Sequence, residues 1–245
     1  MYYYLLTVLS YVQVVLSDID IEKGTKTTNA FLSEFGPDRV AFKQCNVAST
    51  EEMIQLFQFA ESKFGRIDLF VNNAGICHEG QWETMIDVNL KGSIHGMKLA
   101  MQHMSKLEGG NGGHIINMCS AAGVFATPFL PVYSATKHGI LAYARSISRQ
   151  VRHTEKGVRI TCLCPFNVDT EMGNYTEERV CGLAIANMAV KATGVLQVRE
   201  VVDVFLRVLE NTDGDSEALV ISKRGTKIAT CPYSTFDSLT DLSTK

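Results

Sequence analysis

The residues best suited to chemistry lie between Ser120 and Lys137, where a hydroxyl, a phenol and an ammonium group follow one another along the chain. Tyr133 and Lys137 are four residues apart, so on a helix both side chains lie on one face. A phenol is a poor base at neutral pH, but a neighbouring ammonium group favours the phenolate and lowers the phenol's pKa. Ser120 offers a hydroxyl that can hold a substrate oxygen while Tyr133 moves its proton. These groups are suited to oxidising an alcohol or reducing a carbonyl.

The elements around this segment place it where an α/β sheet presents its reactive groups. It follows a strand-like run from Gly113 to Met118 and precedes a helix-like run from Gly139 to Val151. In open α/β sheets, ligands bind at the carboxyl ends of the strands. The Tyr-x-x-x-Lys pair alone is a weak signal, because a half-buried Tyr with a solvated Lys one turn later gives the same pattern. Further motifs have to decide between the two interpretations.

Two further motifs favour the functional interpretation. Asn72-Asn73-Ala74-Gly75 ends an apolar run from Ile67 to Val71, and Asn89 follows within Asp87 to Leu90. Together with the serine, tyrosine and lysine, these residues resemble the short-chain dehydrogenase/reductase family in order and spacing, over about residues 12 to 225. The resemblance implies that Tyr133 is the base, that Lys137 lowers the phenol's pKa and holds the nicotinamide ribose, and that Ser120 orients the hydroxyl. It also implies that Asn89 anchors its helix and a water leading to Lys137.

Within this family, the chain most resembles the 15-hydroxyprostaglandin dehydrogenase type. The segments that carry this resemblance are Cys45 to Ala48, Val71 to Gly75, Met104 to Lys106, Ile115 to Met118, Pro131 to Tyr133 and Lys137 to Ile140. Prostaglandin-oxidising members have a Gln three residues before the Tyr, and Leu130 occupies that position here. NAD-linked oxidation of a secondary alcohol therefore carries over better than prostaglandin as the substrate. Insect alcohol dehydrogenase-like relatives share the architecture and stay open as an alternative.

NAD is the cofactor that the resemblance implies. An acid at the end of the second strand hydrogen-bonds the adenosine ribose and repels a 2′-phosphate, so Asp18 favours NAD over NADP. The alternative is that Asp18 is a surface acid that closes a strand. Phe166 replaces a family glycine beside the nicotinamide. The expected cofactor-binding residues are Asp18, Ile19, Asn46, Val47, Asn73, Gly75, Tyr133, Lys137, Val168 and Thr170.

A glycine-rich phosphate turn is missing from the expected place. Dinucleotide-binding sheets have this turn after their first strand, about 20 residues before the acid at the end of the second. The first glycine here is Gly24, which follows Asp18. The resemblance therefore implies a sheet that lacks its first strand and phosphate loop, so that the runs Tyr11–Ser17 and Ile67–Val71 lose a shared neighbour. An inactive family member or a fragment, acting as a non-catalytic binding or oligomerising subunit, is the alternative function.

The alternation of apolar runs predicts an α/β fold, a doubly wound parallel sheet of the Rossmann type. The predicted strands are Tyr11–Ser17, Arg39–Phe42, Ile67–Val71, Gly113–Met118, Val158–Leu163 and Ala218–Ile221. The predicted helices are Tyr2–Ser10, Gly24–Phe35, a helix capped by Ser49 or Thr50 that ends at Gly65, Trp82–Lys106, the Tyr133 helix and Val198–Leu209.

Composition excludes several other classes. A net charge of −3 with mixed signs argues against nucleic acid or an anionic membrane as partner. Seven Cys without a Cys-x-x-Cys pair favour buried thiols in a reducing compartment, so we expect a cytoplasmic protein with no metal site. We expect a homodimer acting on a small alcohol or ketone, as in the family.

The amino end is apolar from Met1 to Leu16 and has no Lys or Arg, which a signal peptide would need. A buried helix leading into a buried strand is the favoured interpretation, and a signal or membrane anchor is the alternative. We expect residues 1–229 to form one short-chain dehydrogenase domain, incomplete at its amino end. Residues 230–245 are expected to form a flexible polar tail, because this segment is rich in Ser and Thr.

Overall fold

The computed structural model describes residues 12–150, 153–210 and 218–230, and parallel strands form its centre. Runs rich in Val, Ile and Leu form these strands, as expected of a sheet covered on both faces. The strands are β1 Val14–Asp18, β2 Val40–Gln44, β3 Leu69–Asn72, β4 Gly113–Met118, β5 Val158–Pro165, β6 Ala218–Ser222 and β7 Gly225–Ile228. Strands β3 to β7 form one sheet in the order β3-β4-β5-β6-β7, and β1 pairs with β2 in a separate parallel sheet.

Helices connect the strands and pack on the sheet faces. The helices are α1 Ile21–Phe35, α2 Thr50–Phe64, α3 Trp82–Met85, α4 Ser93–Met104, α5 Pro131–Ser148, α6 His153–Lys156, α7 Leu183–Thr193 and α8 Val198–Glu210. Ser49 caps α2 by accepting a hydrogen bond from Glu52 N, and Gly65 ends it with a positive φ of 87°. These two boundaries confirm the sequence prediction, because a short polar cap and a glycine stop are readable from sequence. Within the described residues, no helix is long and apolar enough to cross a membrane.

The predicted long central helix is present but is interrupted by a wider turn. Between α3 and α4 the backbone follows a seven-residue π-helix, Ile86–Gly92, so the helical path runs without a break to Met104. It ends two residues earlier than predicted because Ser105 is extended and caps the next turn, Lys106–Glu108. Single π-helical turns are rare and often mark functional sites. Here the interruption contains Asn89, one of the predicted site residues.

Other boundaries differ from the predictions for identifiable reasons. Helix α1 begins at Ile21 rather than Gly24, because the side chain of Asp20 accepts a hydrogen bond from Lys23 N and caps it. Gly24 lies inside the helix, where a Cβ would come within 2.2 Å of the Phe42 ring. Glycine at this position therefore allows α1 to pack closely on β2. Helix α5 begins at Pro131, so it contains both Tyr133 and Lys137.

Three of the described strands and helices were not predicted, and two predicted segments cannot be compared. The short helix α6, His153–Lys156, is one of the three. Strand β7 pairs antiparallel with β6 and extends the sheet by one strand. Helix α7 occupies part of the region between β5 and α8, for which the sequence predicted no element. The predicted helix Tyr2–Ser10 and the tail beyond residue 230 lie outside the described residues.

The α/β fold with a mainly parallel sheet confirms the predicted fold class. Among the described residues, β1 pairs only with β2, and β3 pairs only with β4. The two strands predicted to lack a shared neighbour therefore lie in different sheets, and they do not close up by pairing with each other. The predicted absence of a central strand stays a prediction, because residues 1–11 lie outside the described residues.

Both faces of the larger sheet are buried, which fixes the positions of the strand ends. Successive residues of β4 point to opposite faces, so Ile115 and Ile116 belong to different apolar clusters. Ile115 packs with Met53, Met97 and Ile140 on the face covered by α2, α4 and α5. On the other face Ile116 packs with residues of α8. The carboxyl ends of β3, β4 and β5 are thereby held side by side, at the place where the candidate residues lie.

Candidate active site

Ser120, Tyr133 and Lys137 come together at the carboxyl end of β4. Tyr133 and Lys137 lie one turn apart on α5 and are 8% and 4% exposed. Ser120 precedes a short 3₁₀ turn, Ala121–Gly123, and its Oγ accepts a hydrogen bond from Ala122 N at 3.1 Å. The same side chain is a hydrogen-bond partner of the Tyr133 phenol. A serine hydroxyl and a phenol are thus placed to share one substrate oxygen.

Lys137 is held by the end of the neighbouring strand. Its Nζ donates to the carbonyl of Met118 at 3.0 Å and lies 5.5 Å from the centroid of the Tyr133 ring. Cys119 Sγ donates to the backbone carbonyl of Lys137 at 3.3 Å. At Gly123 a Cβ would come within 2.7 Å of Cys119 Sγ and 2.8 Å of the Lys137 carbonyl. The absence of a side chain at Gly123 lets this loop pack directly against α5.

Burial controls the pKa values of both groups. Desolvation raises the pKa of the Tyr133 phenol, and the hydrogen bond with Ser120 lowers it by less. Desolvation also lowers the pKa of Lys137. Without bound reactants, burial disfavours both charged forms, and the predicted lowering of the phenol's pKa by Lys137 stays a prediction. Use of Tyr133 as a base requires additional stabilisation of the phenolate when the reactants are bound.

Asn89 connects the loop after β3 to α5 by hydrogen bonds. Its side chain is 0% exposed, and its amide forms two hydrogen bonds of 2.8 Å with the backbone N and O of Ile76. The same Nδ2 lies 3.4 Å from Thr136 Oγ1 on α5. Since Asn89 lies in the π-helical turn, the widened backbone presents this amide to both neighbours. The structure thus supports an anchoring role for Asn89 between three elements.

Gly75 lies where Asn89 and Lys137 converge. A Cβ on this glycine would be 3.3 Å from Asn89 Oδ1 and 3.7 Å from Lys137 Nζ. Asn72, two residues before the exposed Ala74, is buried, and its Nδ2 donates to Ser93 O and Asn117 Oδ1 at 3.0 Å each. Asn73 is exposed, as expected of a residue that meets a ligand. The motif therefore divides into a buried anchor, Asn72, and an accessible surface at Asn73 and Gly75.

A second group of candidate residues lies on the smaller sheet. Asp18 and Ile19 are exposed at the carboxyl end of β1, and Asp18 Oδ1 accepts a hydrogen bond from Asp20 N at 2.9 Å. Beyond the end of β2, Asn46 Oδ1 accepts from Ala48 N at 3.0 Å. Val47 packs against Gly92, where a Cβ would lie 2.9 Å from the Val47 carbonyl. The side chain of Asn46 therefore holds its own turn.

The last candidates follow β5. Val168 forms an isolated parallel bridge with Leu196, and the exposed Thr170 donates from Oγ1 to Val168 O at 3.4 Å. Phe166, which stands in place of the family glycine, has its ring 6.0 Å from that of Phe125. The pair joins the loop after β4 to the loop after β5. It forms an aromatic wall at this end of the sheet.

A dinucleotide fits part of this arrangement. Exposed Asn73, Gly75 and the adjacent Lys137 ammonium could hold one ribose, and the exposed Asp18 carboxylate could hold the other. Among the described residues, the amino end of α1 does not suit the pyrophosphate, because Asp20 and Glu22 lie there and negative side chains at a helix amino end repel a phosphate. Within the described part of the chain, no glycine-rich turn replaces it. No group of three or more His, Cys, Asp or Glu residues among the described residues could hold a metal ion.

Several contact residues were not predicted from sequence. Thr136 meets Asn89, Gly123 packs on Lys137, and Glu79 and Arg179 make hydrogen bonds described below. Gly123 could have been found, because a glycine three residues after the serine indicates close packing. Glu79 and Arg179 gave no signal, since an isolated charged residue in a loop is usually solvated.

The comparisons with known proteins agree with this arrangement. A sequence profile described as short chain dehydrogenase matches residues 8–180. The chain therefore belongs to the short-chain dehydrogenase family. It is 39% identical over 175 residues to 15-hydroxyprostaglandin dehydrogenase [NAD(+)] of Mus musculus, and this match covers 67% of this chain and 65% of the relative. The enzyme of the same name from Homo sapiens is 38% identical over 175 residues, with coverage of 67% and 66%. This chain thus spans slightly less than two thirds of these relatives.

Solved structures share the fold. Levodione reductase superposes with a TM-score of 0.72 at 22% identity, covering 86% of each chain. A short-chain dehydrogenase/reductase from Burkholderia phymatum, solved in complex with NAD, gives a TM-score of 0.68 at 22% identity and covers 81% of this chain and 76% of that one. These matches confirm the predicted Rossmann-like fold.

Proposed function

We propose that this protein is an NAD-dependent dehydrogenase that oxidises a secondary alcohol to a ketone. The observation that carries this proposal is the group formed by the buried Tyr133 and Lys137 of α5 and the half-buried Ser120, with Asn89 fixed beside it. The similarity to enzymes named 15-hydroxyprostaglandin dehydrogenase [NAD(+)] supports both the reaction class and the cofactor.

Each side chain has a definite part in this reaction. Ser120 holds the hydroxyl oxygen of the substrate, and Tyr133 takes its proton. Lys137, held by the Met118 carbonyl, supplies positive charge beside the phenol and reaches the ribose near Gly75. NAD, when bound, accepts the hydride from the carbinol carbon. Asn89 holds the Gly75 turn and α5 in fixed positions relative to each other during the reaction.

Apolar side chains surround Tyr133 on the side away from β4. Phe129, Leu130 and Val180 are buried there, and Met172 and Tyr175 pack against them. We infer that the alcohol carries an apolar body. Leu130 cannot hydrogen-bond a substrate hydroxyl, so a prostaglandin is a less suitable substrate than a simpler apolar alcohol.

The cofactor choice, assembly and location form part of the same proposal. Asp18 favours NAD over NADP, since its carboxylate at the end of β1 repels a 2′-phosphate. The remaining proposed cofactor contacts are made by Ile19, Asn46, Val47, Asn73, Val168 and Thr170. A homodimer in the cytoplasm is the proposed working state. The thiol form of Cys45, Cys77, Cys119, Cys162, Cys164 and Cys181 supports a reducing compartment.

Tyr133→Phe tests the proposal, because it removes only the phenol hydroxyl. We expect kcat for alcohol oxidation to fall by ~10²–10⁴-fold, the usual effect of losing a positioned acid–base group. The measurement is the rate of NADH formation with a panel of apolar secondary alcohols. It is made on this chain and on a version extended at its amino end by a strand and glycine-rich turn.

Tyr143→Phe is the matched control, since Tyr143 lies on the same helix but packs into the core away from Ser120. It should keep the parent activity. If Tyr133→Phe retains more than about a tenth of the parent kcat, the assignment of the base is wrong. If neither parent protein turns over any alcohol, the non-catalytic alternative gains support over the enzyme.

A further inference from the structure

The helix that carries Tyr133 is capped from a distant loop. Leu130, its own N-cap residue, makes no side-chain hydrogen bond to the first turn, and Pro131 has no N–H group. The next two amides both donate to the carboxylate of Glu79. Val132 N lies 3.0 Å from Oε2, and Tyr133 N lies 2.9 Å from Oε1. One carboxylate thus accepts hydrogen bonds from two amides at this helix end that have no acceptor within the helix. One of these two amides is that of Tyr133.

We propose that Glu79 is a positioning residue that fixes Tyr133 in the geometry needed for proton transfer. Its effect on turnover rests on the proposed function, whereas its effect on the position of Tyr133 does not. Two bonds to adjacent amides fix both the position and the direction of the first helical turn. The negative charge also interacts favourably with the positive end of the helix.

The loop that carries Glu79 is itself fixed by Arg179. Glu79 N donates to the carbonyl of Arg179 at 3.0 Å, and Arg179 Nε donates to Cys77 O at 3.2 Å. The same guanidinium donates to the carbonyls of Glu171 and Asn174 at 3.1 and 2.9 Å. Arg179 therefore joins the segment after β5 to the loop after β3. Through Glu79 this connection reaches the amide of Tyr133.

An ordinary helix cap would stabilise the fold without affecting the chemistry, so the two roles must be separated. Glu79→Gln keeps one acceptor oxygen but turns an NH₂ group towards the other amide. Glu79→Ala removes both acceptors. Ser105→Ala is the matched control, because Ser105 Oγ caps the remote turn Lys106–Glu108 by accepting from Leu107 N at 3.2 Å.

The first measurement follows Tyr133 directly and needs neither cofactor nor turnover. The full chain is labelled with isotope-enriched tyrosine, and the Tyr133 ring resonance is assigned by its loss in Tyr133→Phe. We expect this resonance to shift or broaden in Glu79→Ala, to change less in Glu79→Gln, and to stay unchanged in Ser105→Ala. An unchanged Tyr133 resonance in Glu79→Ala overturns the proposal.

The second measurement is steady-state kinetics, well below the melting temperature of each variant. We expect kcat to fall roughly 10–100-fold in Glu79→Ala, because a small displacement of a catalytic group has an effect of this size. KM should stay within about threefold of the parent value, since substrate contacts are kept. An equal loss in Ser105→Ala overturns the proposal. A parent protein that shows no turnover counts against the proposed function, and the tyrosine resonance then still decides the role of Glu79.

Discussion

The smaller β1–β2 sheet and the larger β3–β7 sheet differ in how completely they are enclosed. In the larger sheet, β4 and β5 have a strand on each side and packed helices on both faces. Among the described residues of the smaller sheet, Val14, Leu16, Val40 and Ala41 are buried, with partly buried aromatic residues of α1 and β2 around the first three. The described residues therefore contain one well-enclosed body and one pair of strands with a much smaller apolar cover.

The proposed chemistry divides along the same line. Ser120, Tyr133, Lys137 and Asn89 all belong to the well-enclosed body, where each contacts a neighbouring element. Asp18, which is proposed to hold the adenosine ribose, is on the β1–β2 pair. The proposed acid–base groups can thus be held in position independently of the proposed nucleotide contacts. The presence of these four residues therefore supports membership of the family more strongly than it supports cofactor binding.

Amide hydrogen exchange provides the sharpest test of this difference. We expect the amides of β1 and β2 to exchange at least about 100-fold faster than those of β4 and β5, which corresponds to about 3 kcal/mol of local stability. The physical reason is the small apolar cluster that covers β1 and β2, since local opening is easiest where little apolar surface is buried. The measurement is residue-resolved exchange on the full chain without cofactor.

Equal protection of the two sheets would show that the β1–β2 pair is stabilised by contacts outside the described residues. In that case the distinction between an enclosed and a thinly covered body is wrong. Amide exchange measured in the presence of NAD tests the same distinction a second time. If NAD selectively slows exchange in β1 and β2, then cofactor binding completes the smaller sheet.

The sequence was sufficient for the fold class and the family. Apolar runs located six of the seven strands in the described residues, and motif spacing selected Ser120, Tyr133, Lys137, Asn89 and Gly75, whose catalytic and binding roles stay a prediction. These features are readable because each depends on local periodicity or on fixed spacing along the chain.

The features that sequence could not predict depend on contacts between distant segments. The cap at Tyr133 comes from Glu79, far away in sequence, and the π-helical turn around Asn89 leaves no periodic signal. The rise in the pKa of the buried Tyr133 phenol was likewise not predictable, because its desolvation depends on segments that pack around it from elsewhere in the chain.

Acid should destabilise the better-enclosed sheet through His114. Its side chain is buried on β4, with Thr161 Oγ1 2.9 Å from Nε2 and Arg159 Nη2 3.2 Å from Nδ1. Burial and the Arg159 charge lower the pKa of His114 from 6.5 to about 4. The unfolded chain therefore binds a proton in this range that the folded chain does not. Stability is fully present above pH ~6.5 and is lost as the pH falls towards 4, by up to about 3 kcal/mol.

Urea unfolding at several pH values between these limits measures this effect. His114→Asn removes the titrating group, so its stability, although lower at neutral pH, should depend less steeply on pH than that of the parent. If the parent and the variant lose stability in parallel as the pH falls, His114 does not carry the acid sensitivity of the larger sheet.

Asp18→Ala tests the smaller sheet alone and has the smallest expected effect. The carboxylate is exposed at the end of β1, away from the catalytic helix, so the substitution should leave the packing around Tyr133 unchanged. A charge-assisted hydrogen bond to the ribose contributes about 1.5–3 kcal/mol, so NAD affinity should fall roughly ten- to a hundredfold in the version extended by a glycine-rich turn. Discrimination against NADP should relax as well, because the repulsion of a 2′-phosphate is lost. Titration calorimetry with both cofactors measures the two effects. Asp20→Ala is the comparison variant, because Asp20 lies two residues after Asp18 and its side chain caps α1. Unchanged NAD affinity in Asp18→Ala would remove this carboxylate from the site and, with it, the functional division between the two sheets.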